Sequence, residues 1–211
     1  MNYFPIAVNL SKMTVLVVGG GEVACRKILK LYPYSQKIQV IAPKTSETLN
    51  HFILKNQIPY LSKDYDINDL VGVDLCIAAT DSSGVNKQIS LDCHSHKIWC
   101  NSVTSPEDGQ FIFPAFFRSE SLTIAVSTDG KSPLLGRMIK ENLEKEYSER
   151  FTSALMILGE LRETYKSRIP ASSRKLFWEK VIQLLLSEKR TSEGLKDEIE
   201  RLSLKFLSTD L

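Results

Sequence analysis

The sequence of 211 residues lacks any apolar run that approaches the roughly 20 residues needed to cross a bilayer. Its N-terminus carries neither a basic stretch nor a small-residue cleavage site, which argues against a secretory signal peptide. A large charge of one sign is also missing, because the formal net charge is only +2. We therefore expect a cytoplasmic protein that binds neither membranes nor nucleic acid.

Cysteine and histidine are too few and too scattered for a disulfide framework or a zinc site. The chain has four cysteines and no C-x-x-C pair, at Cys25, Cys76, Cys93 and Cys100. This spacing predicts reduced, mostly buried thiols. His94 and His96 form the one close histidine pair, and their place near a predicted helix end favours a surface or capping role. We predict no fixed metal site.

A glycine turn between an apolar strand and a helix is the most informative local feature. Residues 13–18 predict the strand and residues 22–31 predict the helix. The pattern G-x-G-x-x-A falls on Gly19, Gly21 and Ala24. Here the first glycine permits the tight turn, the second lets the backbone approach a pyrophosphate, and the alanine lets the helix pack on the strand. A dinucleotide site is favoured over a purely structural turn.

Short strands alternate with helices as far as residue 104. Further strands are predicted over residues 37–42, 58–61, 73–79 and 98–100, with helices over 45–56 and from the end of the segment Ser82–Asn86 to about His94. This alternation predicts a right-handed βαβ series in a doubly wound, Rossmann-like parallel sheet. Ligands of such sheets bind at the carboxyl ends of the strands. The expected rim comprises residues 19–21, 42–45, 80–81 and 101–104.

The second predicted strand lacks the acidic residue that commonly binds the adenosine ribose. It ends in Ala42-Pro43-Lys44-Thr45 instead. Two interpretations stay open. Either Lys44 and Thr45 favour a 2′-phosphate, or loop backbone and hydroxyl groups hold the ribose.

The pattern changes after residue 104. A turn-rich loop over 105–109 is followed by an aromatic, β-prone run over 111–117 and an alternating strand over 121–127. Ser132 and Pro133 predict a helix N-cap and first helical residue. We expect that helix to bury a set of apolar side chains, namely Leu134, Leu135, Met138, Ile139 and Leu143.

The remainder of the chain predicts helices, with a break at Pro170. The helical segments cover residues 151–165, a stretch capped by Ser172 or Ser173, and residues 193–207. Their aromatic and leucine stripes indicate a core or a dimer interface rather than a cofactor pocket.

Several short motifs, taken together, resemble a known family. They are, in order, Pro5-Ile6, Asn9-Leu10, Val-Val-Gly-Gly-Gly-Glu-Val-Ala-Cys-Arg-Lys from position 17, Ala78-Ala79-Thr80-Asp81, Val85-Asn86, Cys100-Asn101, Phe111-Ile-Phe-Pro-Ala115, Ala125-Val-Ser127, Ser132-Pro133 and Arg174-Lys-Leu-Phe-Trp-Glu179. Their order and spacing resemble the precorrin-2 dehydrogenase module of siroheme synthases over nearly the whole chain.

The resemblance implies NAD-dependent oxidation of precorrin-2 to sirohydrochlorin, on the route to siroheme or cobalamin. Some members of the family also insert Fe²⁺ or Co²⁺ into the product. The implied architecture is a homodimer whose chain has a dinucleotide-binding domain (1–112), a dimerisation segment (113–146) and a C-terminal helical domain (147–211).

The resemblance also implies site residues. Those expected to bind NAD are Gly19, Gly20, Gly21, Glu22, Val23, Ala42, Pro43, Thr80, Asp81 and Asn101. Precorrin-2 carries eight carboxylates and therefore needs cationic and polar partners around the central segment. Those expected to bind it are Arg118, Ser127, Thr128, Lys131 and Arg137, with Lys140 nearby.

One position departs from the family pattern. Thr104 stands where the family has an aspartate with acid–base and chelating roles. Asp108 or Glu107 in the same loop would be a substitute catalyst, or the proton passes to water or a substrate carboxylate and only chelation suffers. We favour the second interpretation, because hydride transfer depends mainly on positioning. A bifunctional dehydrogenase–ferrochelatase and a non-catalytic tetrapyrrole- or nucleotide-binding protein stay open as alternatives.

Overall fold

The computed structural model describes residues 3–187 and 192–207. It divides the chain into two compact units, Met1–Phe113 and Pro114–Leu211. The three-part division at 112 and 146 stays a prediction, and a single helix, Pro133–Tyr165, runs across the second of those boundaries.

The first unit is built on five parallel strands in the order β3-β2-β1-β4-β5. These strands are β1 (Val15–Val18), β2 (Ile38–Ile41), β3 (Tyr60–Leu61), β4 (Leu75–Ala78) and β5 (Trp99–Ser102). The helices that connect them are α1 (Glu22–Leu31), α2 (Glu47–Asn56) and α3 (Ser83–Ser95). The predicted doubly wound α/β fold is confirmed.

The central strand β1 is buried along its whole length because both faces of the sheet are covered. Val15 and Val17 join a core with residues of α1 and α2. Leu16 and Val18 point to the other face and join a core with residues of α3. A strand that is apolar at every position therefore belongs at the centre of the sheet, and its carboxyl end leads into the glycine turn.

Most predicted boundaries in this unit lie within two residues of the observed ones. The first helix begins and ends as predicted, at Glu22 and Leu31. The second begins at Glu47, two residues late, because Ser46 caps it: its Oγ accepts from the N–H of Leu49 at 3.3 Å. Residues 3–9 form a lead-in rather than a strand. All four cysteines are free and buried, as predicted.

In the residues that the structure describes, the second unit contains a hairpin and three helices. Its elements are β6 (Ala115–Ser119), β7 (Leu122–Val126), α4 (Pro133–Tyr165), α5 (Arg174–Leu186) and α6 (Ser192–Leu207). Ser132 caps α4 as predicted, since its Oγ accepts from the N–H of Leu135 at 3.3 Å, and Pro133 is the first helical residue. Helix α4 packs on the hairpin, while its C-terminal end and the two later helices enclose a small core around Phe177.

The prediction that the start of α4 buries its apolar side chains is wrong for four of the five in the single chain, whereas Leu143 is partly buried. Leu134, Leu135, Met138 and Ile139 are 69%, 50%, 54% and 38% exposed. The helix instead turns Gly136 to the hairpin, where an added Cβ would lie 3.6 Å from Thr128 Cγ2. Because neighbouring positions on a helix point elsewhere, the four apolar side chains form an uncovered surface, here called the α4 apolar face.

Candidate functional site

A cavity of about 700 Å³ lies at the carboxyl ends of β1, β2 and β4. Four rim segments line it, together with Val18, Ile41 and Val85: residues 19–21, 42–46, 63–65 and 79–82. This is the position that the ligand rule for open parallel sheets predicts. The cavity brings together most of the residues predicted to hold a dinucleotide.

Two of the three turn glycines are required by contacts between the rim loops. Gly19 has a φ of 131°, and an added Cβ would lie 2.1 Å from the carbonyl oxygen of Ala79. At Gly20 an added Cβ would lie 1.9 Å from the carbonyl oxygen of Lys44, and the Gly20 carbonyl accepts from the N–H of Ser46 at 2.7 Å. Both positions therefore need glycine for the fold itself.

Gly21 is different because none of the residues that the structure describes fills the space beside it. An added Cβ would meet only Asp81 Oδ1, at 4.0 Å. Gly21 is also the N-cap of α1, and no side chain caps this helix. Uncapped N–H groups at a helix start favour an anion. The residues present thus fit the pyrophosphate of a dinucleotide, which supplies a hydride-accepting nicotinamide when bound.

The part of the cavity lining that follows β4 is held by a buried amide. Asn86 of α3 is fully buried, and its Oδ1 accepts from the N–H of Thr80 at 2.9 Å and lies 2.7 Å from Thr80 Oγ1. Its Nδ2 donates to the Thr80 carbonyl at 2.9 Å. The segment Thr80–Asp81, which lines the cavity, is therefore fixed from behind by one side chain.

Thr104 belongs to this hydrogen-bond network but does not line the cavity. Its Oγ1 accepts from Asn86 Nδ2 at 3.3 Å and lies 3.4 Å from Ser102 Oγ. The other predicted catalytic residue, Asp108, ends the short 3₁₀ helix Pro106–Asp108 and also lies outside the cavity lining. A catalytic role for either residue stays a prediction.

Three predicted cofactor residues are not among those that line the cavity. Glu22 and Val23 occupy the exposed first turn of α1. Asn101 is buried in β5, where its Nδ2 donates to the Phe111 carbonyl at 2.9 Å and its Oδ1 has no hydrogen-bond partner. Asn101 therefore ties the sheet to the following segment.

Sequence reasoning missed the segment Lys63, Asp64 and Tyr65, which lines the cavity after β3. Lys63 Nζ is paired with Asp69 Oδ1 at 2.6 Å. Burial, and the hydrogen bond that Tyr65 donates to Asp92 at 3.0 Å, raise the pKa of the Tyr65 phenol above its usual range. The pairing of β3 beside β2 brings this segment to the rim. The sequence predicts β3 itself, but it does not predict that the residues after β3 reach the cavity.

The residues predicted to bind substrate carboxylates lie in the second unit. They are Arg118 on β6, Ser127 and Thr128 after β7, Lys131 in the following turn, and Arg137 in α4. Arg137 Nε is paired with Glu141 at 2.8 Å on an exposed surface. Thr128 Oγ1 accepts from the N–H of Ser132 at 3.2 Å. Their substrate contacts stay a prediction.

The histidine pair at the end of α3 has the predicted capping position. His96 is the C-cap residue, and its Nδ1 lies 2.8 Å from the Asp92 carbonyl oxygen. Within residues 3–187 and 192–207, no group of three or more His, Cys, Asp or Glu side chains is placed to hold a metal ion. In the same ranges no helix is long and apolar enough to cross a membrane.

Comparisons with known proteins agree with this architecture. Residues 6–115 match the family described as putative NAD(P)-binding, and residues 120–146 match the family described as sirohaem biosynthesis protein central. A siroheme synthase of Psychrobacter sp. is 32% identical over 209 residues, or 95% of this chain and 43% of the relative. One from Pseudomonas putida is 36% identical over 203 residues, or 96% and 44%. The chain thus spans less than half the length of these curated relatives.

A solved structure matches over its full length. "SirC, precorrin-2 dehydrogenase" has a TM-score of 0.73 and 29% sequence identity, and the match covers 96% of this chain and 100% of that chain.

Proposed function

This chain belongs to the putative NAD(P)-binding family, and we propose that it oxidises precorrin-2 to sirohydrochlorin with NAD as the hydride acceptor. The observation that carries the proposal is the open space at Gly21, beside the uncapped start of α1 and inside the rim cavity. The full-length match to a solved precorrin-2 dehydrogenase supports the choice of substrate.

The protein's own residues act mainly by orientation. The amides at the start of α1 bind the pyrophosphate, and the segment Thr80–Asp81 lines the same cavity. Thr104 is a poor base near neutral pH, and its oxygen already accepts from Asn86. The substrate proton therefore passes to water or to a substrate carboxylate, and hydride transfer depends on how the two reactants are held.

Asp64 supports NAD rather than NADP. Asp64 is one of the residues that line the cavity after β3, next to the end of β2 where the usual ribose acid is missing. A carboxylate there accepts hydrogen bonds from ribose hydroxyls and repels a 2′-phosphate. Lys63, one of the two lysines that line the cavity, is paired with Asp69. We assign Asp64 the role of the missing acid.

We propose weak or absent chelatase activity. A neutral hydroxyl at Thr104 is a poor ligand for a hard divalent ion, and an aspartate at that position has the chelating role in the family that the sequence resembles.

The assembly that we propose is a homodimer. The α4 apolar face, formed by Leu134, Leu135, Met138 and Ile139, lies within the segment that matches the sirohaem central family. A second copy would remove these side chains from water. The free cysteines fit a reducing compartment, and we place the protein in the cytoplasm.

The test is turnover of precorrin-2 by the purified chain, with NAD and NADP compared at equal concentrations. We expect NADH formation together with the absorbance spectrum of sirohydrochlorin, and slower turnover with NADP. NADH binding without turnover would instead favour a non-catalytic binding protein. Incubation of sirohydrochlorin with Fe²⁺ or Co²⁺ completes the test, because insertion well above the spontaneous rate would favour a bifunctional enzyme.

A further inference from the structure

We propose that Asn86 is a positioning residue that couples the dinucleotide-binding wall, Thr80–Asp81, to the loop that carries Thr104. This role rests on the dinucleotide binding proposed above. Under this proposal, the side chain at position 104 affects the affinity for the dinucleotide, although Thr104 itself does not line the cavity.

The hydrogen bonds of Asn86 leave no capacity unused. A neutral side-chain amide has two acceptor positions and two donor hydrogens. Both acceptor positions face Thr80, at 2.9 Å from its N–H nitrogen and 2.7 Å from its hydroxyl oxygen. One donor hydrogen goes to the Thr80 carbonyl at 2.9 Å and the other to Thr104 Oγ1 at 3.3 Å. Since the residue is fully buried, water cannot replace any lost partner.

The location of Thr80 makes these bonds relevant to the cavity. Strand β4 ends at Ala78, so Thr80 lies beyond the paired part of the sheet. The side-chain amide of Asn86 therefore supplies the backbone hydrogen bonds that a neighbouring strand would otherwise provide. Asp81 follows directly and is the side chain closest to the open space at Gly21. A shift of Thr80 therefore changes the width of the cavity at the point where the pyrophosphate enters.

The connection to position 104 fixes the orientation of the amide. Thr104 Oγ1 is the acceptor that holds the second N–H of Asn86, and it also lies 3.4 Å from Ser102 Oγ at the end of β5. Without an oxygen at position 104, that buried N–H loses its partner, and the amide is held only by its bonds to Thr80. The two rim loops are thus linked through one side chain.

A matched pair of variants tests the coupling. Thr104→Ser keeps the acceptor oxygen, whereas Thr104→Val keeps the shape and removes it. We expect Thr104→Val to weaken NADH binding about threefold, measured by fluorescence titration, because a single hydrogen bond is lost indirectly. Thr104→Ser should restore wild-type affinity. In turnover, the KM for NAD should rise in Thr104→Val while the KM for precorrin-2 stays constant.

Asn86→Asp removes both donors and keeps the acceptors. We expect NADH affinity to fall about tenfold, since the new carboxylate faces the Thr80 carbonyl. Asn56→Asp is the control, because Asn56 Nδ2 also donates to a backbone carbonyl, that of Phe52 at 2.8 Å, but lies outside the cavity lining. It should lower thermal stability without changing NADH affinity.

Equal NADH affinity in wild type, Thr104→Val and Thr104→Ser would overturn the coupling, even if Asn86→Asp fails to fold. Unchanged affinity in a folded Asn86→Asp variant would overturn the positioning role. The proposed reaction is tested separately: if wild type binds NADH without oxidising precorrin-2, only the reaction is refuted. Absence of NADH binding by wild type would refute both.

Discussion

Alanine substitutions at Gly19 and Gly21 should separate the glycine that the fold needs from the glycine that the ligand needs. The two positions are two residues apart in one turn, and each would receive the same single methyl group. The structure gives them opposite surroundings. Gly19 lies against the Ala79 carbonyl, whereas Gly21 faces the open cavity.

The expected cost at Gly19 follows from its backbone and its neighbour. A φ of 131° is strained for any residue with a side chain, and this strain costs about 1–3 kcal/mol. A Cβ 2.1 Å from Ala79 O also forces the backbone to move, which costs about 1–3 kcal/mol more. Gly19→Ala should therefore lose about 2–6 kcal/mol, or roughly 4–24 °C in Tm. Gly21 has an ordinary φ of −83°, and a methyl group there should change stability by only about 0.5 kcal/mol.

The expected effect on ligand binding is the reverse. A methyl group at Gly21 occupies the space where the pyrophosphate approaches the start of α1, so NADH affinity should fall at least about tenfold. Thermal unfolding and NADH fluorescence titration measure the two effects on the same samples. Gly72→Ala is the control for backbone strain alone, because Gly72 has a φ of 75° and no atom within 4 Å of an added Cβ.

If Gly21→Ala binds NADH as tightly as wild type, the open space beside Gly21 is not the pyrophosphate site. If Gly19→Ala unfolds at the wild-type temperature, the contact with Ala79 is easily relieved and the expected cost at Gly19 is wrong. Gly72→Ala should lose about 1 kcal/mol of stability and keep its NADH affinity.

Three further predictions concern the loop, the interface and the core. Thr104→Asp should raise the rate of Fe²⁺ or Co²⁺ insertion into sirohydrochlorin, measured by absorbance. NADH affinity should stay within about twofold of wild type, because the carboxylate still accepts from Asn86. An unchanged insertion rate would show that position 104 does not limit chelation. Met138→Glu places a charge on the α4 apolar face and should shift the mass measured by light scattering from dimer to monomer, whereas an unchanged mass would contradict the proposed interface. Burial lowers the pKa of Lys27 from 10.5 to about 8, so the folded state carries an unfavourable charge below about pH 8. The free energy of unfolding should therefore rise as the pH increases from about 8 towards 10.5. Lys27→Met should remove this pH-dependent rise. In urea titrations at neutral pH it should increase the free energy of unfolding by about 1–2 kcal/mol. The gain is limited because the variant loses the contact of Lys27 with the Phe113 ring.

The parts of the fold that the sequence predicts well are those decided by local physics. Strand β1 is apolar at every position and runs into glycines, so its central place and the start of α1 follow directly. The cavity wall at Lys63–Tyr65 was missed because its position depends on the pairing of β3 with β2, a non-local contact with little local signal. The central role of Asn86 was missed for the same reason, since its partners lie 6 and 18 residues away.

The α4 apolar face shows a different limit. Apolar residues at helical spacing predict that something covers them, but periodicity does not say whether the cover belongs to the same chain. In this structure Gly136, which carries no apolar side chain, is the residue of α4 that packs against the hairpin. Leu135 and Met138 therefore point outwards, and no part of the same unit covers them in the described residues. The wrong prediction of burial within one chain is therefore useful, because it identifies the surface proposed for the second copy.

Replacing an acid by a threonine at position 104 separates two properties that an aspartate combines. An aspartate offers an acceptor oxygen and a negative charge. The contact with Asn86 needs only the oxygen, and Thr104 provides it at 3.3 Å. Proton abstraction and the binding of a hard metal ion need the charge, which a hydroxyl lacks near neutral pH. The substitution therefore leaves the wall of the dinucleotide cavity supported while it removes the group suited to chelation. We therefore expect a chain with this arrangement to position NAD, on which hydride transfer depends, and to bind Fe²⁺ or Co²⁺ poorly.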